Sequence, residues 1–270
     1  MSETDEPSAG PLINAVNLSL SFPSLTPADR KLLTDPLKFL IDFYLSRPAR
    51  KNIEILNGLS FVVNPGDRLG ILGHNGAGKS TLLRLLSGVY APSSGHIQIN
   101  GMAKGLFDVS SGMSLDATGL ENVYLRGLQM GMTIAEIKSK IPSIMEFTEL
   151  EDNIHRIFGT YSSGMRLRLA FAISTMIETD ILLMDEWLGA GDARFKAKVK
   201  ERMGGLVDQS RALVIASHSV TLLKQLCNKG LVLNQGQHMK ASGGNGKLIN
   251  IEKIDHSQTC NFQMMICYNS

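Results

Sequence analysis

The sequence predicts an α/β fold with an inserted helical subdomain and an antiparallel β part at its N-terminal end. Three observations predict it. Short, strand-length apolar runs recur at Arg68-Leu69-Gly70-Ile71-Leu72, Ile181-Leu182-Leu183-Met184 and Ala212-Leu213-Val214-Ile215-Ala216, and runs of that kind read as strands buried on both faces. Helical stretches alternate with them, beginning at Leu82-Leu83-Arg84-Leu85-Leu86. Between the first run and that helix lies a glycine-rich stretch, Gly73-His74-Asn75-Gly76-Ala77-Gly78-Lys79-Ser80-Thr81.

Taken in order, residues 1–10 read as a disordered tail, and Leu12 to Leu20 as an edge strand ending at Phe22. Thr26-Pro27 and Asp35-Pro36 each read as an N-cap with proline at the first helical position. The second opens Leu37 to Leu45, a short helix apolar around most of its circumference, with Arg47, Arg50 and Lys51 at its end. Residues 24–51 are therefore read as an amphipathic helical insert, packed either on its own domain or against a membrane protein or membrane surface. Gly58 to Val63 and Asp67 to Leu72 read as strands joined by the turn Asn64-Pro65-Gly66. Ser93-Ser94-Gly95 is a turn before a strand over His96 to Asn100. From Leu115 to Thr160 the periodicity is helical, and Thr118-x-x-Glu121 and Thr133-x-x-Glu136 announce two helix starts. The span 106–178 is thus a helical subdomain within a nucleotide-binding domain of residues 11–240. Leu231-Val232-Leu233 followed by Gln235-Gly236 suggests a last hairpin. In the tail 241–270, Gly243-Gly244-Asn245-Gly246 breaks the chain, and the runs around Ile249 and Met264 are weak strands or disorder.

Composition narrows the classes. A length of 270 residues allows one or two domains, and a net charge of +2 is too small to argue for nucleic acid. No apolar run approaches a membrane span, and the polar, acidic start from Met1 to Pro11 is no signal sequence. Cys227, Cys260 and Cys267 lack paired spacing and read as reduced thiols without a metal.

The glycine-rich stretch fits G-x-x-x-x-G-K-[ST] in full and has the strand before and helix after that a phosphate-binding loop requires. Its glycines let successive N–H groups point inward, and the helix N-terminus adds partial positive charge. Lys79 is expected to reach the β- and γ-phosphates and Ser80 to place its hydroxyl on Mg²⁺. Asp185 and Glu186 follow an apolar strand, so two carboxylates stand at a strand's C-terminal end beside the loop. Asp185 suits the metal, and Glu186 suits orienting and polarising the attacking water. His218, after the next strand, is expected to approach the γ-phosphate and help position that water.

Tyr161-Ser162-Ser163-Gly164-Met165-Arg166-Leu167-Arg168 is a small polar turn running into a helix ahead of the carboxylate strand. It resembles the signature motif of ABC ATPases, L-S-G-G-Q with a basic helix start. Ser162 and Gly164 match, whereas Tyr161, Ser163 and Met165 depart. Physically it is a second anion site made of a serine hydroxyl and a helix N-terminus. With the phosphate loop, Thr118 to Tyr124, and Asp185 to Ala193, it makes residues 12–240 similar to the ATPase subunit of exporters for lipid-linked polysaccharides of O-antigen, capsule or teichoic-acid type.

That resemblance implies ATP and Mg²⁺ as ligands and ATP hydrolysis as the reaction. It implies a head-to-tail homodimer in which Ser162, Ser163, Gly164 and Met165 of one copy face the nucleotide of the other. It also implies a separate multi-spanning permease that handles the glycan, no nucleic-acid partner, and a place on the cytoplasmic face of the inner membrane. Trp187 to Ala193 stands where the family has its D-loop, with Asp192 as the anchoring acid. Phe22 is similar in place to the aromatic that stacks on adenine, with Tyr44 or another residue open for the same job. Asp108 falls where the family has a metal-contacting glutamine, so the metal contact is retained with a changed charge. Longer members carry a C-terminal β-sandwich that reads the glycan, and the roughly thirty residues after the core are too few for one. The rival readings are a small-solute importer ATPase, which would share every catalytic residue, and a soluble ABC-type ATPase outside transport. The latter usually shows two cassettes or a long coiled coil, and here there is one cassette without sustained heptads. A nucleotide-binding module with little turnover is a further alternative.

Overall fold

Continuous apolar runs become the middle strands of a sheet covered on both faces. The computed structural model describes residues 10–25, 50–107, 112–176, 178–185, 192–234, 237–238 and 249–250. The first tail, the helix read over Leu37 to Leu45, Tyr44, Asp108, Glu186 and most of the last thirty residues lie outside the described residues. In the central sheet, β3 (Arg68–Leu72), β5 (Ala103–Leu106), β6 (Ile181–Asp185), β7 (Ala212–Ala216) and β8 (Lys229–Asn234) run parallel. Their order is β8-β3-β7-β6-β5. Two short strands, β9 (Gln237–His238) and β10 (Ile249–Asn250), pair antiparallel with β8. The last hairpin is therefore present, and the run at Ile249 is strand.

A second sheet of three antiparallel strands has β1 (Ile13–Leu25) between β2 (Arg50–Val63) and β4 (Ser94–Ile99). Both long strands exceed the sequence reading. β1 continues through Leu25 and β2 begins at Arg50, with Leu25 opposite Arg50, so the span read as a helical insert begins and ends in strand. The turn at Asn64 to Gly66 joins strands of different sheets. Asp67 N–H closes it on the Asn64 carbonyl at 3.0 Å.

Alternation along the strands sorts two cores. Leu69, Ile71, Ile181, Leu183, Val214 and Ala216 face a core shared with β1, β2 and α1 (Lys79–Leu86). Leu182, Met184, Leu213 and Ile215 face the other core, beneath α2 (Gly119–Gln129), α3 (Ile134–Thr148), α4 (Ser163–Ser174) and α5 (Ala193–Gln209). A short α6 (Val220–Leu226) follows β7. No helix among the described residues is long and apolar enough to cross a membrane. Cys227 is buried in the second core, and burial pushes its thiol up to about 12.

Both helix starts read from the sequence form capping boxes. Thr118 Oγ1 accepts from Glu121 N–H while Glu121 accepts from Thr118 N–H, and Thr133 and Glu136 repeat the pattern. Thr118→Ala should cost roughly 0.5–2 kcal/mol, read from denaturant midpoints. The Thr118 N–H, then its hydroxyl, hold the Glu121 carboxyl below its ordinary value, and Thr133 does the same for Glu136. A depressed folded-state value stabilises above the ordinary carboxylate range and is lost as pH falls through the lower value. Melting temperature should therefore drop on acidification, and the acid slope should flatten in a Glu121→Gln, Glu136→Gln double variant.

Candidate functional site

Parallel registers bring the predicted groups to one edge of the sheet. Ile71 on β3 and Asp185 on β6 both pair with Ala216 on β7, so the three stand level across neighbouring strands. At one strand spacing per step, Asp185 lies roughly 10 Å across from the end of β3. The phosphate loop starts just beyond that row at Gly73, and His218 stands in the turn that follows β7. Ser217 N–H donates to the Ile71 carbonyl at 3.1 Å, which ties the β7 turn to the β3 strand end. Asp185 is half-buried and His218 exposed.

The loop itself wraps the start of α1. Gly76 and Gly78 adopt φ of 81° and 95°, left-handed angles that disfavour any side chain. A Cβ at Gly73 would stand 2.8 Å from the Leu233 carbonyl oxygen, and one at Gly78 would stand 3.0 Å from Leu56 and 3.1 Å from the Ile55 carbonyl. The cradle is thus closed by β2 and β8 as well as by its own turns. Lys79 Nζ lies over it, donating to the carbonyls of Gly73 at 2.7 Å and His74 at 3.0 Å. His74 Nδ1 is 2.7 Å from the Asn75 carbonyl, and Asn75 is exposed. Ala77 is buried, while Ser80 and Thr81 are half-buried in the first turn of α1. Gly78→Ala combines a strained angle with two close neighbours. It should cost on the order of 1–3 kcal/mol and weaken nucleotide binding, checked by thermal melts with and without ATP.

Hard oxygen donors suit Mg²⁺, and the Ser80 hydroxyl and Asp185 carboxylate supply them at this edge. Phe22 on β1 is exposed and meets Tyr90 edge-on, with ring centroids 5.2 Å apart. It pairs across strands with Ile53, two positions from the Ile55 that abuts Gly78. An exposed ring therefore stands along β1–β2 from the loop.

The signature-like turn opens α4. Ser162 is its N-cap, the hydroxyl accepting from Met165 N–H at 3.2 Å. Ser162, Ser163 and Gly164 are exposed and Met165 half-buried, so the turn faces away from this chain's own core. The departure at Tyr161 has a structural reason. Its ring is buried and its hydroxyl donates to the Asn153 carbonyl at 2.7 Å, and burial raises its pKa. A Cβ at Gly119 would fall 2.2 Å from that hydroxyl, so Gly119 and Tyr161 interlock. Asn122, fully buried, donates to the carbonyls of Ser114 and Thr118 and accepts from Ser114 N–H. The stretch Thr118 to Tyr124 thus braces the loop that presents Ser162.

Asp192 is the N-cap of α5. Its carboxylate accepts from Phe195 N–H at 2.8 Å and from Arg168 at 2.8 Å, and these two bonds, in that order, hold it below the usual range. Both partners belong to the same chain. The sequence reading left Arg168 and Glu149 without a role. Nothing local marks Glu149, because its partners come from two other helices. In Arg168 the only signal was a basic residue after the signature-like turn.

Comparison with known proteins supplies the relatives. The family model described as ABC transporter matches residues 56–189. The O-antigen export system ATP-binding protein RfbE of Yersinia enterocolitica is 44% identical over 191 residues, covering 71% of this chain and 80% of that protein. The teichoic acids export ATP-binding protein TagH of Bacillus anthracis is 41% identical over 207 residues, covering 77% of this chain and 38% of its own. The chain therefore spans less than half the length of that longer relative. A solved ATP binding subunit of an ABC transporter superposes with a TM-score of 0.65 at 18% identity, over 92% of this chain and 93% of that one. At that identity the likeness shows the fold alone.

Proposed function

Because the chain belongs to the ABC transporter ATP-binding family, the ATP-hydrolysing components of such systems, we propose that it powers export of a lipid-linked polysaccharide of O-antigen, capsule or teichoic-acid type. The observation that carries the cargo is the 44% identity along 80% of the O-antigen export protein RfbE. The reading places the chain at the cytoplasmic face of the inner membrane, beneath a separate multi-spanning permease that handles the glycan.

In this reading the backbone N–H groups of the loop and the Lys79 ammonium hold the β- and γ-phosphates, with the adenine against Phe22. Ser80 and Asp185 would hold Mg²⁺, which supplies Lewis-acid charge to the phosphate oxygens. Glu186 accepts a proton from the attacking water, and His218 orients that water from the neighbouring strand end. The γ-phosphate is gripped from its other side by Ser162 and the N-terminus of α4 in a second copy. The exposure of that turn supports this role, because an anion site aimed away from its own loop needs an outside ligand. Hydrolysis removes the group both copies bind, and the pair opens. Residues 11–240 form the nucleotide-binding unit, with 106–178 as its helical subdomain.

The test is genetic and chemical together. Removing the chain from its host should leave lipid-linked glycan on the cytoplasmic leaflet, restored by the wild-type chain and not by Lys79→Ala. Normal glycan export with a lost solute uptake would sink the exporter reading in favour of an importer ATPase.

A further inference from the structure

Helix α4 is anchored unevenly. Its C-terminal half, Leu169 to Ser174, is buried, whereas its first residues carry the exposed signature-like turn. Two arginines hold that exposed half. Arg166 stays local, donating to the carbonyls of Tyr161 and Gly159. Arg168 reaches across to α5 and pairs with Asp192 at 2.8 Å and with Glu149 at 3.9 Å. Its guanidinium also lies over the Phe195 ring at 5.6 Å.

Glu149 is the hub. It caps α3 in the left-handed conformation at φ 56°, a place where glycine or asparagine is favoured. What glutamate adds there is a carboxylate that also binds Lys198 at 2.7 Å and Arg194 at 2.9 Å, both on α5. The Lys198 bond first, then Arg194 and Arg168, hold that carboxyl below its ordinary value. Beside the charges Phe147, Phe171 and Phe195, one from each of α3, α4 and α5, pack together at centroid distances of 5.5–6.1 Å, the first two stacked and Phe195 edge-on to both.

We propose that Glu149 and Arg168 are positioning residues for ATP hydrolysis: they lock the first turns of α4 to the start of α5, so that Ser162 and Gly164 reach the partner copy's nucleotide as a rigid unit. The proposal rests on the shared-site reading above. Their ion-pair partners stand at the ends and on the faces of α3, α4 and α5 and not in the phosphate loop, so their effect is expected at the other copy's site.

The test uses the full chain, with Glu149→Gly, which removes the carboxylate while easing the backbone angle, and Arg168→Met as an independent second variant. Each should hydrolyse ATP on the order of ten- to a hundredfold more slowly, as expected when a contact group is displaced by about an ångström. ATP affinity at the chain's own loop should not change, and Glu149→Gly should melt no earlier than wild type. Each variant is then mixed with a Lys79→Ala chain, and a Gly164→Asp chain is mixed with Lys79→Ala as the control. Restoration of turnover in both kinds of mixture supports the proposal, because the intact loop of one chain meets the intact α4 of the other. Restoration in the control alone, or wild-type turnover in both Glu149→Gly and Arg168→Met, overturns it. No restoration in the control overturns the shared-site reading, and the proposal with it.

Discussion

A chain carrying Lys79→Ala is expected to lose ATP turnover by on the order of a hundred- to a thousandfold. The ammonium sits over the loop, held by the carbonyls of Gly73 and His74. Moving onto a phosphate exchanges bonds from the ammonium to neutral carbonyls for bonds to an anion, which adds the attraction of opposite charges. Alanine keeps the helical first turn of α1 and removes the charge, and Lys79 is only half-buried, so the fold should survive. Ligand-induced stabilisation provides the direct reading. At a hundred times the dissociation constant, ATP–Mg²⁺ should stabilise wild type by about 2.7 kcal/mol, whereas the variant at the same concentration should show almost none. A variant stabilised by ATP as strongly as wild type would show that the loop binds phosphate without its lysine.

Glu186→Gln should lower turnover by roughly a hundred- to ten-thousandfold while leaving ATP binding intact, since a positioned proton acceptor typically contributes that much. Glutamine keeps the size and loses the basicity. Bound ATP then persists, and the two-copy closed state should accumulate, visible as an ATP-dependent doubling of mass in solution. Asp185→Asn should behave differently, because its carboxylate is assigned to the metal. Its turnover should recover partly at raised Mg²⁺, which that of Glu186→Gln should not. Undiminished hydrolysis by Glu186→Gln would remove the residue from the reaction.

Strand and loop chemistry was legible because it is local. The runs at Arg68 to Leu72 and Ala212 to Ala216 are strands over the residues read. The two Thr-x-x-Glu signatures are capping boxes because both partners lie within one helical turn. β5 was missed because Ala103-Lys104-Gly105-Leu106 has neither alternation nor β-branched residues, and it is strand through its pairing with β6. The ends of β1 and β2 were missed for a related reason. Pro23 and the charges at Arg50 and Lys51 argue against strand locally, and the cross-strand ladder overrides them at the edge of the antiparallel sheet.

By itself the sequence determined the glycine-rich loop between β3 and α1, Asp185 at the end of β6 and the helix that Ser162 caps, since each depends on residue types at short fixed spacing. Only the tertiary structure decided which apolar residues of β6 and β7 face which core, because an unbroken apolar run has no polar side to mark its orientation. It alone set Ile71, Ala216 and Asp185 in one row, because register arises from pairing between distant segments. It alone also gave Glu149 and Arg168 their partners, because an ion pair across three helices is a property of their packing and leaves no pattern along the chain.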